Sequence, residues 1–298
     1  MAARLPAAPV LALVFNAFVW GLSWWPFRAL QDRGLHALWS TCLIYVVSLA
    51  CLLALRPRAG AGWKGQPLLW LLALSAGMTN VGFNWAVTIG DVVRVVLLFY
   101  LMPAWSVLAA WLLLGEKPTR MAIVRLLLAL AGVVLVLWTP GAGWPWPRTL
   151  ADGLALAGGF SFALTNVLLL RLNRVPAESR VLAMFGGGAV LAGTVAALGA
   201  VQGAVPAFPA LGLPALGLAL LLAFSFLAGN LALQYGAARL KAHTTALVML
   251  SEVVFAALSS VALGASQLTP GVLVGGALIL AAAAWSAWPT AQPAAGAQ

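Results

Sequence analysis

Apolar residues fill ten stretches of this chain, and short polar connections separate each stretch from the next. A helix needs about 20 apolar residues to cross about 30 Å of hydrocarbon, and each stretch is close to that length. Transmembrane strands would instead show segments of about 10 residues that alternate in polarity. The pattern therefore predicts ten transmembrane helices. They cover residues 10–28, 36–55, 67–89, 92–114, 121–138, 150–170, 177–201, 211–235, 242–263 and 270–288.

The composition supports the same fold class. The chain has 298 residues, of which 63% are hydrophobic and 7% are charged. Soluble domains carry about 25% charged residues, so a soluble fold would have too little polar surface to cover this much apolar surface. We therefore expect an all-α polytopic membrane protein that is embedded in a lipid bilayer.

The formal net charge of +10 could indicate a nucleic-acid partner. The cationic residues, however, lie in the connections between the predicted spans. If the N-terminus is cytoplasmic, twelve of the 16 Lys and Arg residues lie on the cytoplasmic side. Only Arg28, Arg33 and Arg148 then lie outside, and Arg94 lies near the outer membrane edge. The positive-inside rule therefore predicts that both termini are cytoplasmic, and we expect no nucleic-acid partner.

The two halves of the chain resemble each other. Residues 101–115 align without gaps on residues 250–264, and residues 84–90 align on residues 230–236. Each half holds five predicted spans, so the two copies would enter the membrane from opposite sides. Inverted repeats of this kind are typical of secondary transporters. The predicted organisation is a first repeat at 1–139, a periplasmic linker at 140–149, a second repeat at 150–288 and a disordered cytoplasmic tail at 289–298.

These features resemble the EamA branch of the drug/metabolite transporter superfamily. They include the inverted repeat, Trp20 in the first span, and Pro103 twelve residues before the Gly-Glu pair that ends the fourth span. Residues 90–119 are similar to YddG-type exporters of aromatic amino acids. The second half departs from the family pattern, since Glu252 stands where the repeat would place a proline. The resemblance implies a multi-pass exporter of small metabolites in the bacterial inner membrane, without ATP hydrolysis of its own.

Polar and aromatic side chains within the predicted spans are candidates for a substrate site. Polar groups in a membrane are costly unless they face protein or water. Asn and Gln can bind both a carboxylate and an ammonium group, and aromatic rings give a flat apolar wall. Alternatively, the amides join helices to one another and the aromatic residues only pack. The predicted substrate-binding residues are Asn16, Trp20, Trp24, Asn80, Asn84, Tyr100, Phe162, Asn166, Asn230 and Gln234.

Four further residues are candidates for coupling or gating. Glu252 is the only acidic residue near the middle of a predicted span, where acids often belong to proton relays. Its alternative role is that of a neutral, hydrogen-bonded group beside a helix irregularity opposite Pro103. Asp91 and Arg94 are three residues apart, so we expect their side chains to pair and to shape the outer mouth. Pro103 removes a backbone hydrogen bond and predicts a hinge.

Other functional classes fit the sequence less well. An enzyme would need a set of paired acids, a nucleophile beside a base, or metal ligands, and we find none. The chain also lacks a Walker-type loop, so we expect no enzymatic activity, no metal and no cofactor. A channel with a polar lining remains an alternative. Aromatic amino acids are the expected substrates; other neutral amino acids and cationic aromatic drugs are the alternatives, and the sequence is compatible with a monomer.

Overall fold

The chain folds into α-helices that are joined by short connections. The computed structural model describes residues 7–63, 65–114, 119–138, 146–172, 174–237, 239–240, 245 and 248–287. These residues contain no β-strand and one short 3₁₀ helix, at Ala59–Trp63. Their α-helices are α1 (Ala7–Leu22), α2 (Trp24–Gln31), α3 (Ala37–Leu55), α4 (Leu68–Ile89), α5 (Val92–Phe99), α6 (Met102–Leu114), α7 (Arg120–Leu137), α8 (Leu150–Arg171), α9 (Ala177–Val201), α10 (Leu213–Ala237), α11 (Ser251–Ala262) and α12 (Pro270–Ala287).

Six helical segments in the described part of the chain are long and apolar enough to cross a membrane. They are Ala7–Gln31 (α1 with α2), Ala37–Leu55, Arg120–Leu137, Leu150–Arg171, Ala177–Val201 and Leu213–Leu233. α11 and most of α12 are apolar but shorter. The prediction of an all-helical fold is confirmed for the described residues, and the six candidate spans are consistent with a multi-pass membrane protein. The total of ten spans remains a prediction, although a described helix lies in every stretch that was predicted to span.

Two of the predicted spans are interrupted near a proline. The first span is broken at Ser23, whose hydroxyl donates to the Trp20 carbonyl at 2.7 Å. Pro26 has no N–H to donate to the Leu22 carbonyl, which explains why α1 ends there. Likewise, α5 and α6 separate just before Pro103, which has no N–H for the fourth residue before it. The Pro103 side chain lies outside the described side chains. The sequence analysis expected a hinge at Pro103 within a single span, and it did not anticipate the first break.

The helices pack in a consistent set of pairs. α4 lies along α8 and α9, α3 along α9 and α10, and α1 along α10 and α11. α7 lies along α12, and a Cβ atom at Gly132 would lie 2.6 Å from the Gly275 carbonyl oxygen. Only glycine allows the two backbones to touch in this way, which is a common basis of helix packing in membranes. The largest buried apolar cluster surrounds α5, in which every residue except Arg94 is buried.

Candidate functional site

Two helical segments, one from each predicted half, meet at a buried tyrosine and a buried glutamate. Tyr100 lies at the break between α5 and α6, and Glu252 is the second residue of α11. The Tyr100 Oη atom is 2.9 Å from the Glu252 carboxylate and 3.1 Å from the Met249 carbonyl oxygen. Tyr100 is 3% exposed and Glu252 is 8% exposed. The buried acid therefore has a hydroxyl partner, which we call the Tyr100–Glu252 pair.

Five aromatic rings from five helices form a continuous row beside this pair. The ring centroids of Trp20 and Phe226 are 4.4 Å apart, and those of Trp20 and Phe83 are 6.0 Å apart. Phe99 is 4.9 Å from Phe83 and 5.6 Å from Phe162. We call these five residues the aromatic series. It connects α10, α1, α4, α5 and α8, and so presents aromatic faces and edges from both predicted halves.

The sequence identified only part of this series. Trp20 and Phe162 were predicted, and Tyr100 lies next to the series, with its ring centroid 6.4 Å from that of Phe99. Phe83, Phe99 and Phe226 were missed. A signal was present for two of them, since Phe83 precedes Asn84 and Phe226 lies four residues before Asn230, on the same helix face. Such rings cannot be distinguished from ordinary packing residues until the helices are assembled.

Asn16 is the most unusual polar residue of the site. It lies one helical turn before Trp20 and is 0% exposed. Within the described part of the chain, neither its amide nitrogen nor its amide oxygen has a hydrogen-bond partner. It faces α10, where a Cβ atom at Gly229 would lie 3.7 Å from its oxygen. A buried polar group without a partner costs about 1–3 kcal/mol, so Asn16 is a place where a ligand or an ordered water would supply the missing bonds.

Asn80 and Asn84 form bonds between helices instead. The Tyr45 hydroxyl donates to the Asn80 oxygen at 2.5 Å, and the Asn80 nitrogen donates to the Ala76 carbonyl at 2.8 Å. The Asn84 nitrogen donates to the Thr41 hydroxyl at 3.1 Å, while its oxygen has no partner. Both amides therefore join α4 to α3, which is the alternative role that the sequence analysis left open. Their role in substrate binding remains a prediction.

The other predicted binding residues occupy different positions. Asn230 is half-buried in α10, and Asn166 is exposed on α8. The side chain of Gln234 lies outside the described side chains. Trp24 is buried, but its ring nitrogen donates to the Ser259 hydroxyl at 2.9 Å. Trp24 therefore connects α2 to α11 and does not belong to the aromatic series.

A bidentate ion pair joins two helices at one end of the bundle. We call this the outer end, following the charge-based prediction; α2, α4 and α11 end there, and α5 and α8 begin there. Arg94 contacts the two Asp152 carboxylate oxygens at 2.7 and 3.0 Å, and also donates to the Val136 carbonyl at 3.1 Å. Asp152 is 1% exposed. Bidentate pairs of this kind are among the stronger polar contacts in proteins.

The predicted pair of Asp91 and Arg94 side chains was wrong. Asp91 precedes α5, and its carboxylate accepts from the Arg94 backbone N–H at 2.9 Å and from the Gln267 N–H at 3.3 Å. An aspartate in this position is oriented toward the free N–H groups of the helix start. The Arg94 side chain is thus left to reach Asp152. Asp152 was missed, although Thr149 three residues earlier forms a capping box with it, which is a recognisable sequence signal.

Arg28 adds a second connection at the outer end. Its Nε atom donates to the Val87 carbonyl at 2.9 Å, and one of its terminal nitrogens donates to the Gly90 carbonyl. These bonds attach α2 to the end of α4. Next to them lies a crevice of about 400 Å³, which we call the outer crevice; Arg28, Gln31, Asp32 and Asp91 are among its lining residues.

His36 is a structural residue at the start of α3. Its Nδ1 atom accepts from the Leu38 N–H at 3.3 Å, so the ring caps the helix. Partial burial lowers the pKa of His36 below its ordinary value of 6.5. Among the described residues, no group of three or more His, Cys, Asp or Glu side chains is placed to hold a metal ion. His36 therefore acts as a neutral cap.

Comparisons with known proteins agree with the membrane fold. The model of the EamA-like transporter family matches residues 7–138, which correspond to the first predicted repeat. No curated protein matches the chain. The chain is similar to a protein of known crystal structure, with 20% sequence identity and a TM-score of 0.57, over 94% of this chain and 96% of the other. That similarity shows a shared fold. The family match indicates a membrane transporter of small molecules, rather than an enzyme.

Proposed function

We propose that this protein is a secondary transporter that exports aromatic amino acids from the cytoplasm by alternating access. The observation that carries the proposal is the aromatic series next to Asn16, a fully buried amide with no partner. The EamA-like family match supports the transporter class. Under this proposal the protein lies in the bacterial inner membrane, with ten spans and both termini in the cytoplasm.

The packing of the helices supports two inverted five-helix repeats. If spans 1–5 correspond to spans 6–10, the contact of α4 with α8 corresponds to that of α10 with α1, and both occur. The contacts of α4 with α9 and of α10 with α3 correspond in the same way. α6 begins at Met102 and α11 begins at Ser251, and the alignment of the two halves pairs these two residues. A site between such repeats can open to each side of the membrane in turn.

An aromatic amino acid matches the chemistry of the proposed site. Its ring can pack against the aromatic series, where each aromatic pair contributes about 0.5–1.5 kcal/mol. Its charged main-chain groups require hydrogen-bond partners, and an amide offers both donors and an acceptor. Asn16 lies one turn from Trp20, so a ligand whose ring contacts Trp20 brings its polar groups close to this amide. The proposed substrate site therefore consists of Asn16, Trp20, Phe162 and the remaining rings of the aromatic series.

The ion pair at the outer end is the proposed outer gate. Arg94 belongs to the first predicted repeat and Asp152 to the second, so movement of the repeats apart at this end must break their contact. The bonds of Arg28 with the end of α4, and of Trp24 with Ser259, lie at the same end. The Arg94–Asp152 contact is formed in this structure, and under the proposal this corresponds to a closed outer gate.

Glu252 is the proposed coupling residue. It is a buried acid whose partner is a neutral hydroxyl rather than a cation. A carboxyl group in such surroundings can exist in the protonated form and can lose its proton when the surroundings change. The substitution Glu252→Gln keeps the size and the hydrogen bonding but removes titration. It should flatten the pH dependence of transport while counterflow continues, and an unchanged pH profile would refute the coupling role.

Counterflow in proteoliposomes tests the transport function. Vesicles loaded with unlabelled Phe would be offered labelled Phe, Trp, Thr or a cationic dye in separate runs. We expect saturable, stereoselective exchange of Phe and Trp, and weaker exchange of Thr and the dye. Preferential exchange of Thr or the dye would instead support one of the alternative substrates. Exchange that neither saturates nor distinguishes enantiomers would support a channel.

A pair of tryptophan variants tests the position of the site. Trp20→Ala should weaken exchange, and Trp70→Ala, at an exposed ring outside the site, should not.

A further inference from the structure

A small cavity is lined by Tyr100 and by residues of α6, α7 and α12. Its volume is about 10 Å³. Its polar lining residues are Tyr100 and Arg125, and the other eight are apolar residues of α6, α7 and α12. A cavity holds one water molecule when its volume, measured in this way, is about 10–15 Å³. The space beside Tyr100 is therefore large enough for one water molecule.

Arg125 places the far side of this cavity near the opposite end of the bundle. Its guanidinium donates to the Met121 carbonyl at 3.2 Å and to the Trp285 carbonyl at 3.3 Å. Met121 is in the first turn of α7, and Trp285 is in the last turn of α12. We call this the inner end. Arg125 at the inner end and Tyr100, which hydrogen-bonds to Glu252, therefore line the same cavity.

We infer that Tyr100 relays protons between water at the inner end and Glu252. This inference rests on the proposed coupling role of Glu252. A hydroxyl group has one donor and can accept as well, so it can take up one proton while it gives away another. When a proton moves from the inner end to Glu252, a hydrated proton from the cavity forms a new O–H bond at Tyr100 Oη. The original Tyr100 proton then passes to the Glu252 carboxylate. Tyr100 stays neutral, and the reverse step releases the proton to the inner side.

The Met249 carbonyl oxygen gives the Tyr100 hydroxyl a second hydrogen-bond acceptor. When Glu252 is protonated, its hydroxyl can donate to Tyr100 Oη, and the Tyr100 hydroxyl can turn to the Met249 carbonyl at 3.1 Å. When Glu252 is ionised, the Tyr100 hydroxyl donates to the carboxylate at 2.9 Å. Both protonation states are therefore hydrogen-bonded without any movement of the helices.

Few other charged groups of the described residues lie on the helices around this position. α1, α6 and α12 contain no charged residue, and Glu252 is the only one in α11. α5 contributes Arg94, which is bound to Asp152 and lies six residues before Tyr100, or about 9 Å along the helix. α7 contributes Arg125, which lines the cavity, and Arg120 five residues earlier. No other described acid competes with Glu252 for the proton that Tyr100 delivers.

The test uses inverted membrane vesicles, in which the bath faces the cytoplasmic side. Transport would be measured as the bath pH is varied and the lumen pH is held constant. We expect wild-type transport to respond to bath pH and Tyr100→Phe to have the same rate at every bath pH, whatever that rate is relative to the wild type. Tyr45→Phe is the matched control, because it removes another buried tyrosine hydroxyl, the one bonded to Asn80, and it should keep the full response.

The possible outcomes separate the relay from the coupling itself. If Glu252→Gln loses the pH response and Tyr100→Phe keeps it, the relay is wrong and the coupling role stands. If Glu252→Gln keeps the response, both proposals fail. Should Tyr100→Phe not fold, Ala104→Val provides a second test, since it fills the cavity and leaves the hydroxyl in place. It should slow the response to bath pH, and an unchanged response would overturn the relay.

Discussion

The outer end and the centre of this bundle differ in whether their buried polar groups are hydrogen-bonded. At the outer end, Asp152 is buried and is held by a bidentate arginine. In the centre, Asn16 is completely buried and has no hydrogen-bond partner among the described residues. A paired charge stabilises the arrangement in which it is found, whereas an unpaired amide destabilises it until a partner arrives. Under the proposed function, the outer end keeps the bundle closed and the centre receives the solute.

Loss of the ion pair should have the largest effect. Arg94→Ala leaves the Asp152 carboxylate buried without a cation. Removal of one partner costs 3–5 kcal/mol in a fully buried pair, and because Arg94 is 23% exposed we expect about 2–3 kcal/mol here. The free energy of unfolding would be measured in detergent. Arg94→Lys keeps the charge and loses the bidentate geometry, so its free energy of unfolding should lie between those of the wild type and Arg94→Ala.

Asp91 is the control for this experiment. Asp91→Asn keeps a good cap at the start of α5, so the free energy of unfolding should change by only a few tenths of a kcal/mol. If Asp91→Asn costs as much as Arg94→Ala, Asp91 is the true partner of the arginine, and the assignment of the outer gate is wrong.

Replacement of the Asn16 amide should increase the free energy of unfolding, whereas loss of the ion pair decreases it. Asn16→Leu has a similar volume and removes a buried polar group, so it should raise the free energy of unfolding by about 1–2 kcal/mol. The same change should weaken the binding of an aromatic amino acid about fivefold, which corresponds to about 1 kcal/mol for one lost hydrogen bond. Thermal unfolding and titration calorimetry on the same preparation would measure both. A loss of stability would show that Asn16 has a structural partner after all.

Asn80 provides a bonded amide for comparison with Asn16. Asn80→Leu breaks the contact with Tyr45, and hydrogen bonds between membrane helices average about 0.6 kcal/mol. We therefore expect a small decrease in thermal stability and little change in substrate affinity. A large loss of affinity with unchanged stability would show that Asn80 belongs to the substrate site, as the sequence analysis predicted, and that its contact with Tyr45 matters little for stability.

The smallest expected effect concerns pH. Burial lowers the pKa of His36 below 6.5, so the folded protein binds a proton less readily than the unfolded chain does. Stability should therefore decrease as the pH falls from about 6.5 through the lowered pKa, and it should be constant above that range. His36→Asn keeps a capping acceptor and removes the titration. Its melting temperature, measured above and below pH 6.5, should decline less in acid than that of the wild type.

The sequence predicted the helices well because lipid imposes a simple rule on length and polarity. It also predicted a hinge at Pro103, since a proline removes a specific hydrogen bond. It failed for contacts between distant parts of the chain. Arg94 was assigned to its neighbour Asp91, because no local pattern reveals that Asp152, 58 residues away, is closer in space.

The candidate site shows the same limit. Glu252 was recognisable as an isolated acid in an apolar stretch, but its hydroxyl partner Tyr100 lies in the other predicted half. The sequence analysis predicted the same substrate-binding role for Asn16, Asn80 and Asn84, since all three are amides within predicted spans. Their different surroundings follow from the way α1, α3 and α4 pack, and this is decided by many apolar contacts together rather than by the amides themselves.

Photo-crosslinking with an azide derivative of phenylalanine is the most direct test of the central claim, which is that the solute binds at the aromatic series. The labelled protein would be digested and the modified peptides identified by mass spectrometry, with and without an excess of unlabelled Phe. We expect labelling on α1, α4, α5, α8 or α10 next to Trp20, Phe83, Phe99, Phe162 or Phe226, and we expect Phe to prevent it. Labelling that is confined to the outer crevice, or that Phe does not prevent, would contradict the account.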